Sequence, residues 1–455
     1  MKKWLLILGL LPIGGWADPY TPQTQQAEVP KPVELPSIAV PESVPTTMGL
    51  KEAVDTAFRY QSSLRASESQ IRAAQGRVRQ QASGLNPRLL IQSTYNEQLI
   101  NSLGGGLGGV FSANGWNHNA TLSQLVTDFG HTRDLTAAQE HSREANQAAY
   151  EQAQSDVALQ VKQAYFNLLS AQRLIKVQED SIVNRREHVA EARSRFSAGL
   201  GLPSDVTRAE TALSASLFQL SQAQTTASNN RLQFNLALGL DPRMKITLRE
   251  EEEPLLGFKT TEELFEMALA QRPELQQYKQ QVASAQSTLD AAYTTSTPSI
   301  SVNGAYQNRQ NPSFQTLGIN LAIQFQAIDG GLQDGKITEG KANLDRAKAD
   351  LEGAEQRVLS QVGQAYLNLK NAEQQVASAT AEEANARETL RLTNGRYKVG
   401  LGIFLDVLDA QSALLTAQTN RVNALTQVYL SRAALTRAVS GAPAVAGQVS
   451  PASGE

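Results

Sequence analysis

The chain has 455 residues, and its 41 Lys and Arg nearly balance 44 Asp and Glu, so it presents no basic footprint for nucleic acid. It contains no cysteine, which excludes disulfides, thiolate metal sites, a thiol nucleophile and a lipid-modified N-terminal Cys. Aromatic residues are sparse while Ala, Gln, Ser and Leu abound, a mix that suits long helices meeting through small side chains better than a thick globular core.

Lys2 and Lys3 precede a short apolar run from Trp4 to Ile13, and Gly15-Trp16-Ala17 offers small residues for cleavage. Residues 1–17 are therefore expected to be a secretory signal peptide, the alternative being an uncleaved anchor. No later segment approaches the ~20 continuous apolar residues of a membrane-spanning helix. Residues 18–47 are rich in proline and are expected to form an extended, poorly packed lead.

From there the sequence repeats itself. Gln163-Ala164-Tyr165-Phe166-Asn167-Leu168 returns as Gln364-Ala365-Tyr366-Leu367-Asn368-Leu369. Arg195-Phe196-Ser197-Ala198-Gly199-Leu200-Gly201 returns as Arg396-Tyr397-Lys398-Val399-Gly400-Leu401-Gly402. Both runs lead to an Asp-Val pair, Asp205-Val206 and Asp406-Val407. Earlier matches (Leu64 with Leu275, Pro87 with Pro298, Tyr95 with Tyr306) keep a slightly larger spacing. The first copy therefore carries extra residues between Pro87 and Asp128, around Gly104 to Gly109. A period this long signifies two copies of one large unit rather than a solenoid of short ones. The copies span 48–248 and 261–443, with an acidic linker at 249–260 and a flexible tail at 444–455.

Each copy is expected to run helix, strand, turn, strand, very long helix, Gly-rich turn, helix. Ile300, Val302, Gly304 and Tyr306 alternate with Ser299, Ser301, Asn303 and Ala305, and Leu317, Ile319, Leu321, Ile323 and Phe325 alternate with smaller or polar residues. Leu89, Ile91 and Tyr95 keep the same parity in the first copy, while His118 is a polar intruder on that face. Period two places these sets on opposite faces. An apolar outer and polar inner face suits a membrane β-barrel; an ordinary half-buried hairpin shows the same alternation.

Val161, Leu168, Ile175, Ile182, Val189 and Phe196 recur at seven-residue intervals, and Ala164, Ala171 and Ala192 share the second seam position. Val362, Leu369, Val376, Leu390 and Tyr397 repeat the series, with Glu383 interrupting it. This period predicts left-handed coiled-coil packing. An unbroken helix from Thr132 to Ser197 would reach on the order of 100 Å. The returning helices carry Val206, Leu213, Leu220 and Phe234, then Val407, Leu414, Val428 and Leu435. A solvated coiled-coil stalk is the alternative reading.

Four strands cannot close a barrel, and an open edge in lipid leaves backbone groups unpaired, so membrane strands require several chains to share one barrel. At this point the residues resemble a family. The duplicated hairpins, the two glycine turns and the run Asp406-Val407-Leu408-Asp409-Ala410-Gln411 are similar to the TolC outer-membrane efflux family, from about Met48 to Pro443. The resemblance implies a mainly α fold with a transmembrane β-barrel portion, built from four strands and long coiled-coil helices per protomer. It implies a homotrimer with a 12-strand barrel in outer-membrane lipid and a 12-helix tunnel across the periplasm of a Gram-negative-type cell. It further implies a periplasmic adaptor (membrane fusion protein) and an inner-membrane transporter as partners, with the channel passing substrates outward and doing no chemistry.

By the same resemblance, Asp406 and Asp409 match a periplasmic gate. They lie one turn apart, so a trimer would stack two acidic rings; the plainer reading is helix-start acids favoured by the helix dipole. Asp205 and Tyr397 match closed-state contacts, although Asp205 also suits a helix start and Tyr397 the heptad seam. A member of that family carries an arginine in the second turn where this chain has Gly402, so the salt-bridge part of the closed-state contacts is missing here. The turns Gly199-Leu200-Gly201-Leu202 and Gly400-Leu401-Gly402-Ile403 match adaptor-docking tips, or are bare reversals that need glycine. Catalytic, cofactor-binding and metal sites are expected to be none, because His118, His131, His141 and His188 show no metal-ligand spacing. The alternative function is a periplasmic or surface coiled-coil structural protein without channel activity.

Overall fold

The computed structural model describes residues 47–97, 115–252, 260–310 and 313–440. The expected signal peptide, nearly all of the Pro-rich lead, Gly104 to Gly109, much of the acidic linker and the C-terminal tail lie outside the described residues.

The first copy comprises β1 (Thr47–Met48), α1 (Leu50–Tyr60), α2 (Ser62–Ala82), β2 (Arg88–Asn96), β3 (Gly115–Thr127), α3 (His131–Ser197), α4 (Pro203–Leu238) and β4 (Thr247–Leu248). The second comprises α5 (Thr261–Gln271), α6 (Pro273–Tyr293), β5 (Ser299–Gln310), β6 (Ser313–Gln324), α7 (Leu332–Lys398) and α8 (Phe404–Ser440). The duplication is close to residue-for-residue: α3 and α7 each have 67 residues, α2 and α6 each have 21, and α1 and α5 each have 11. The extra residues of the first copy fall between β2 and β3, where β5 and β6 are joined by residues 311–312 alone.

The single helix expected ahead of each strand pair is in fact two. Gln61 (φ −67°, ψ 122°) and Arg272 (φ −70°, ψ 120°) each take an extended conformation between two helices. At Arg272 the cause is Pro273, which drives the preceding residue out of the α region. At Gln61 the break is held from outside, by side-chain amide bonds to the carbonyls of Leu236 (3.4 Å) and Ala237 (3.1 Å) at the end of α4. Gly239 ends α4 at φ +73°, and a Cβ there would meet the Tyr60 carbonyl oxygen at 2.7 Å, so only glycine fits.

The four longer strands form one antiparallel sheet in the order β2-β3-β5-β6, so the two copies join through β3 and β5. Its register places Leu89, Ile91 and Tyr95 on one face with Trp116, Leu122, Val302, Tyr306, Leu317, Ile319, Leu321 and Ile323. These side chains are exposed, from 37% at Val302 to 81% at Ile319. The other face is mainly Asn, Gln, Ser and Thr, with Leu90, Leu125 and Phe314 as the large apolar exceptions. His118 lies on the apolar face, where its Nδ1 is 2.9 Å from Ser93 Oγ and its ring stacks on Trp116. The outer edges of β2 and β6 have no strand partner among the described residues.

Below the sheet the heptad seam is buried as predicted at Val161 (0% exposed), Leu168, Ile182 and Val189. Each such side chain contributes about 1.5–3 kcal/mol. Phe196 departs from the prediction: it is exposed, whereas its counterpart Tyr397 in the second copy is buried. A core of Met48, Tyr165, Phe166, Phe234 and Leu238 gathers where α1, α3, α4 and the short β1–β4 pair meet. The Tyr165 hydroxyl donates to the Arg249 carbonyl, and burial, with Glu251 nearby, pushes its pKa up to about 12. Among the described residues no helix is long and apolar enough to cross a membrane.

Candidate functional site

The two glycine turns are built alike. In the first, Gly199 sits at φ +74°, and the Leu200 amide donates to the Arg195 carbonyl at 2.8 Å. In the second, Gly400 sits at φ +79°, and the Leu401 amide donates to the Arg396 carbonyl at 2.8 Å. Each closes the preceding helix as a left-handed glycine cap. A Cβ at Gly201 or Gly402 would come within 3.1 or 3.3 Å of the backbone nitrogen of Phe196 or Tyr397, so the reversal leaves little space there. Leu200 (77% exposed), Leu202, Leu401 and Ile403 all project from the turns.

Both tips are fastened to each other. The Arg195 guanidinium on α3 lies 4.4 Å from the centroid of the Tyr397 ring on α7, and its Nη1 donates to the Tyr397 carbonyl at 2.9 Å. Tyr397 also packs against Phe404 at the start of α8, with Val189, Ala192, Ala209 and Val407 completing a small core. Burial raises the Tyr397 pKa; Arg195 opposes that rise and Asp205 adds to it. Asp205 is thus an electrostatic neighbour of Tyr397, and Arg195 is the residue that contacts it.

Asp406 and Asp409 fall on the exposed side of α8, while Phe404 (2%) and Val407 (0%) face inward. The inward residues fix the rotation of the helix, and that rotation turns both carboxylates outward along one stripe.

Sequence reasoning passed over polar groups inside the coiled coils. Arg185 and His188 are buried, and Arg185 Nε, His188 Nδ1, Gln178 Oε1 and both amide atoms of Gln411 have no hydrogen-bond partner. The His188 ring meets Phe404 edge-on at 6.4 Å, and burial lowers its pKa. A signal was present, because Gln178 and Arg185 occupy the seam position that Ala164, Ala171 and Ala192 hold elsewhere in α3. In the second copy Glu383 lies within the seam, paired with Arg387 on α7 (2.6 Å) and Arg421 on α8 (2.9 Å). Burial works against its charge, but the two guanidinium groups outweigh burial and hold the carboxyl below its ordinary value.

The four histidines sit at four separate places, and among the described residues no cluster of His, Asp and Glu could hold a metal ion.

Comparison with known proteins agrees with this architecture. The family described as outer membrane efflux protein matches residues 54–240 and 264–441, one stretch in each copy. The protein CyaE of Bordetella pertussis is 26% identical over 404 residues, covering 82% of this chain and 80% of its own. The outer membrane protein TolC of Escherichia coli is 24% identical over 386 residues, covering 79% and 76%. Among solved structures, the outer membrane protein VceC from Vibrio cholerae superposes with a TM-score of 0.74 at 19% identity, covering 86% of this chain and 96% of that one. With both halves of the duplication matched by the same family, the chain belongs to the outer membrane efflux proteins.

Proposed function

We propose that three copies of the chain close one twelve-stranded barrel in outer-membrane lipid and continue as a twelve-helix tunnel through the periplasm. In this reading the assembly is the exit duct of a tripartite efflux or type I secretion system. An inner-membrane transporter supplies the energy and a periplasmic adaptor bridges to the tips. The observation that carries the reading is the sheet itself. It exposes an apolar face, neither of its outer edges has a strand partner among the described residues, and closure with further copies satisfies those edges in lipid.

The remaining assignments follow from the duct. Asp406 and Asp409 become stacked acidic rings at the periplasmic entrance. Asp205 and Tyr397, with Arg195, hold the hairpins closed. Gly199 to Leu202 and Gly400 to Ile403 present four apolar side chains to the adaptor, with glycine setting the turn. Relatives of this chain are channel proteins, and no step of the proposed transport needs covalent chemistry or a cofactor.

Purified protein added to planar lipid bilayers should give discrete conductance steps and should fractionate from cells with the outer membrane. Silent bilayers together with a soluble periplasmic protein would instead favour a coiled-coil spacer.

A further inference from the structure

Two short connections carry the chain from the sheet into the long helices, residues 128–130 between β3 and α3 and residues 325–331 between β6 and α7. The register brings both to one end of the sheet, because Thr127 pairs with Ile300 and Ile300 with Ile323. They are also tied to one segment: Thr297 Oγ1 donates to the Asp128 carbonyl at 3.3 Å, and Ser296 Oγ donates to Asp329 Oδ2 at 3.2 Å.

The two turns share one backbone. Asp128 accepts from the amides of Gly130 (3.2 Å) and Thr132 (2.8 Å), and Asp329 from those of Gly331 (3.0 Å) and Gln333 (3.0 Å). Each aspartate is followed by two left-handed residues: Phe129 (φ +57°) and Gly130 (φ +100°) in the first turn, Gly330 (φ +64°) and Gly331 (φ +90°) in the second. Phe129 is the one non-glycine residue with such a backbone among the described residues. A bulky side chain opposes that conformation, and the second copy makes the same turn with glycine. The phenyl group is therefore not there to form the turn, and backbone strain of this kind points to another use. Phe129 is 58% exposed, and Val126, Phe325, Ile328 (88%) and Leu332 around the two connections are exposed as well.

The height of the sheet's apolar face gives these side chains a place. Its apolar rows run from Ile91, Tyr306 and Leu317 down to Ile300 and Ile323. From Tyr306 to Ile300 the strand rises about 20 Å at ~3.4 Å per residue, and a barrel tilt of roughly 40° reduces that to about 15 Å. A transmembrane barrel presents an apolar band about 25 Å tall. The next row of this face above Tyr306 is polar (Ser93, His118, Asn308 and Gln315), and only beyond it do Tyr95 and Trp116 follow. Below Ile300 and Ile323 the exposed apolar side chains continue without such a break, through Phe325 and into the connections.

We propose that the two connections form an apolar collar that sits among the lipid acyl chains of the periplasmic-side leaflet, with Phe129 as its anchor. The membrane then extends past the ends of the strands as far as Leu332, the first residue of α7. The proposal rests on the trimeric duct, in which the apolar face of the sheet meets lipid. It assigns lipid, rather than a second copy of the chain, as what covers Phe129. Transfer of the phenyl group from water into hydrocarbon offsets the strain of its backbone, and three copies of the collar fix the depth at which the barrel rides.

The chain contains no cysteine, so a single introduced one can carry a nitroxide label without competition. The test compares full-length Phe129→Cys, Ile328→Cys, Ile319→Cys and Leu200→Cys, each labelled and reconstituted in vesicles of phosphatidylcholine and phosphatidylglycerol. Power-saturation EPR reads collisions with molecular oxygen, which concentrates in lipid, and with a nickel chelate, which stays in water. Labels at Phe129 and Ile328 should match Ile319 on the sheet face, with an oxygen-to-chelate ratio several-fold above that of Leu200 at the tip. Chelate-dominated collisions at Phe129 and Ile328 beside oxygen-dominated ones at Ile319 would overturn the collar while leaving the barrel in lipid. Few collisions with either reagent at Phe129 would mean that a neighbouring copy covers it, which also overturns the collar. Chelate-dominated collisions at Ile319 as well would overturn the barrel, and the collar with it.

Discussion

Arg195 and Tyr397 join the two halves of the duplication at their far ends: the guanidinium of one covers the ring of the other at 4.4 Å and donates to its carbonyl oxygen at 2.9 Å. Arg195 thus supplies a cation to Tyr397 from the opposite hairpin.

If this contact restrains the tips, Arg195→Ala should loosen them. A partly exposed cation–π contact and a charge-assisted bond to a carbonyl together contribute about 2 kcal/mol, which shifts a closed–open equilibrium more than tenfold per chain. Resting single-channel conductance should rise. Arg195→Lys, which keeps the charge but loses the planar stack, should fall between. Equal conductance in all three proteins would remove Arg195 from the closure.

Replacing Asp406 and Asp409 together by Ala should raise conductance and weaken block by multivalent cations, because two stacked rings of like charge attract such ions. Currents and block unchanged from the native channel would leave these residues as ordinary helix-start acids.

Leu200 and Leu401 are among the most exposed apolar side chains of the described residues. Changing both to Glu should abolish adaptor-dependent export while trimers persist on gels, since exposed side chains at a turn contribute little to the fold. Full export by that variant would count against docking at the tips.

His188 predicts a pH dependence. It faces Glu191 and Glu187 from its own helix, which favour its charged form, and Lys398 and Arg185, which oppose it along with burial; the net effect lowers its pKa from the ordinary 6.5. The folded chain therefore binds this proton more weakly than the unfolded chain. The stability associated with neutral His188 is complete above about pH 6.5 and declines as pH falls through the lower folded value. Protection at the α3–α8 contact beside Phe404, taken as the exchange rate relative to the intrinsic rate at each pH, should weaken as pH falls below about 6.5, and His188→Gln should flatten that dependence. Identical profiles for both proteins would contradict the assignment.

Much of the architecture was legible because it rests on long periodic patterns. The seven-residue series in α3 and α7 and the alternation in β5 and β6 each sum over many residues, so one intruder such as Glu383 does not hide them. What stayed hidden depends on partners far away in the chain. Gln61 breaks a helix only because the end of α4 offers it carbonyls, and nothing local announces it, whereas Pro273 marks the equivalent break openly. The β3–β5 pairing joins the copies through residues with no pairing signal of their own. At the tips the glycines and the Asp205–Asp406 pair were readable from their repetition, and Asp409 from the family resemblance. The Arg195–Tyr397 contact was not, because it crosses between hairpins and has no counterpart within either copy.

The most direct measurement is the number of chains in the detergent-solubilised particle taken from outer membranes, obtained by native mass spectrometry. Three chains per particle are predicted, since that number supplies twelve strands and closes both open edges. A particle of one chain, stable in water without detergent, would contradict the account.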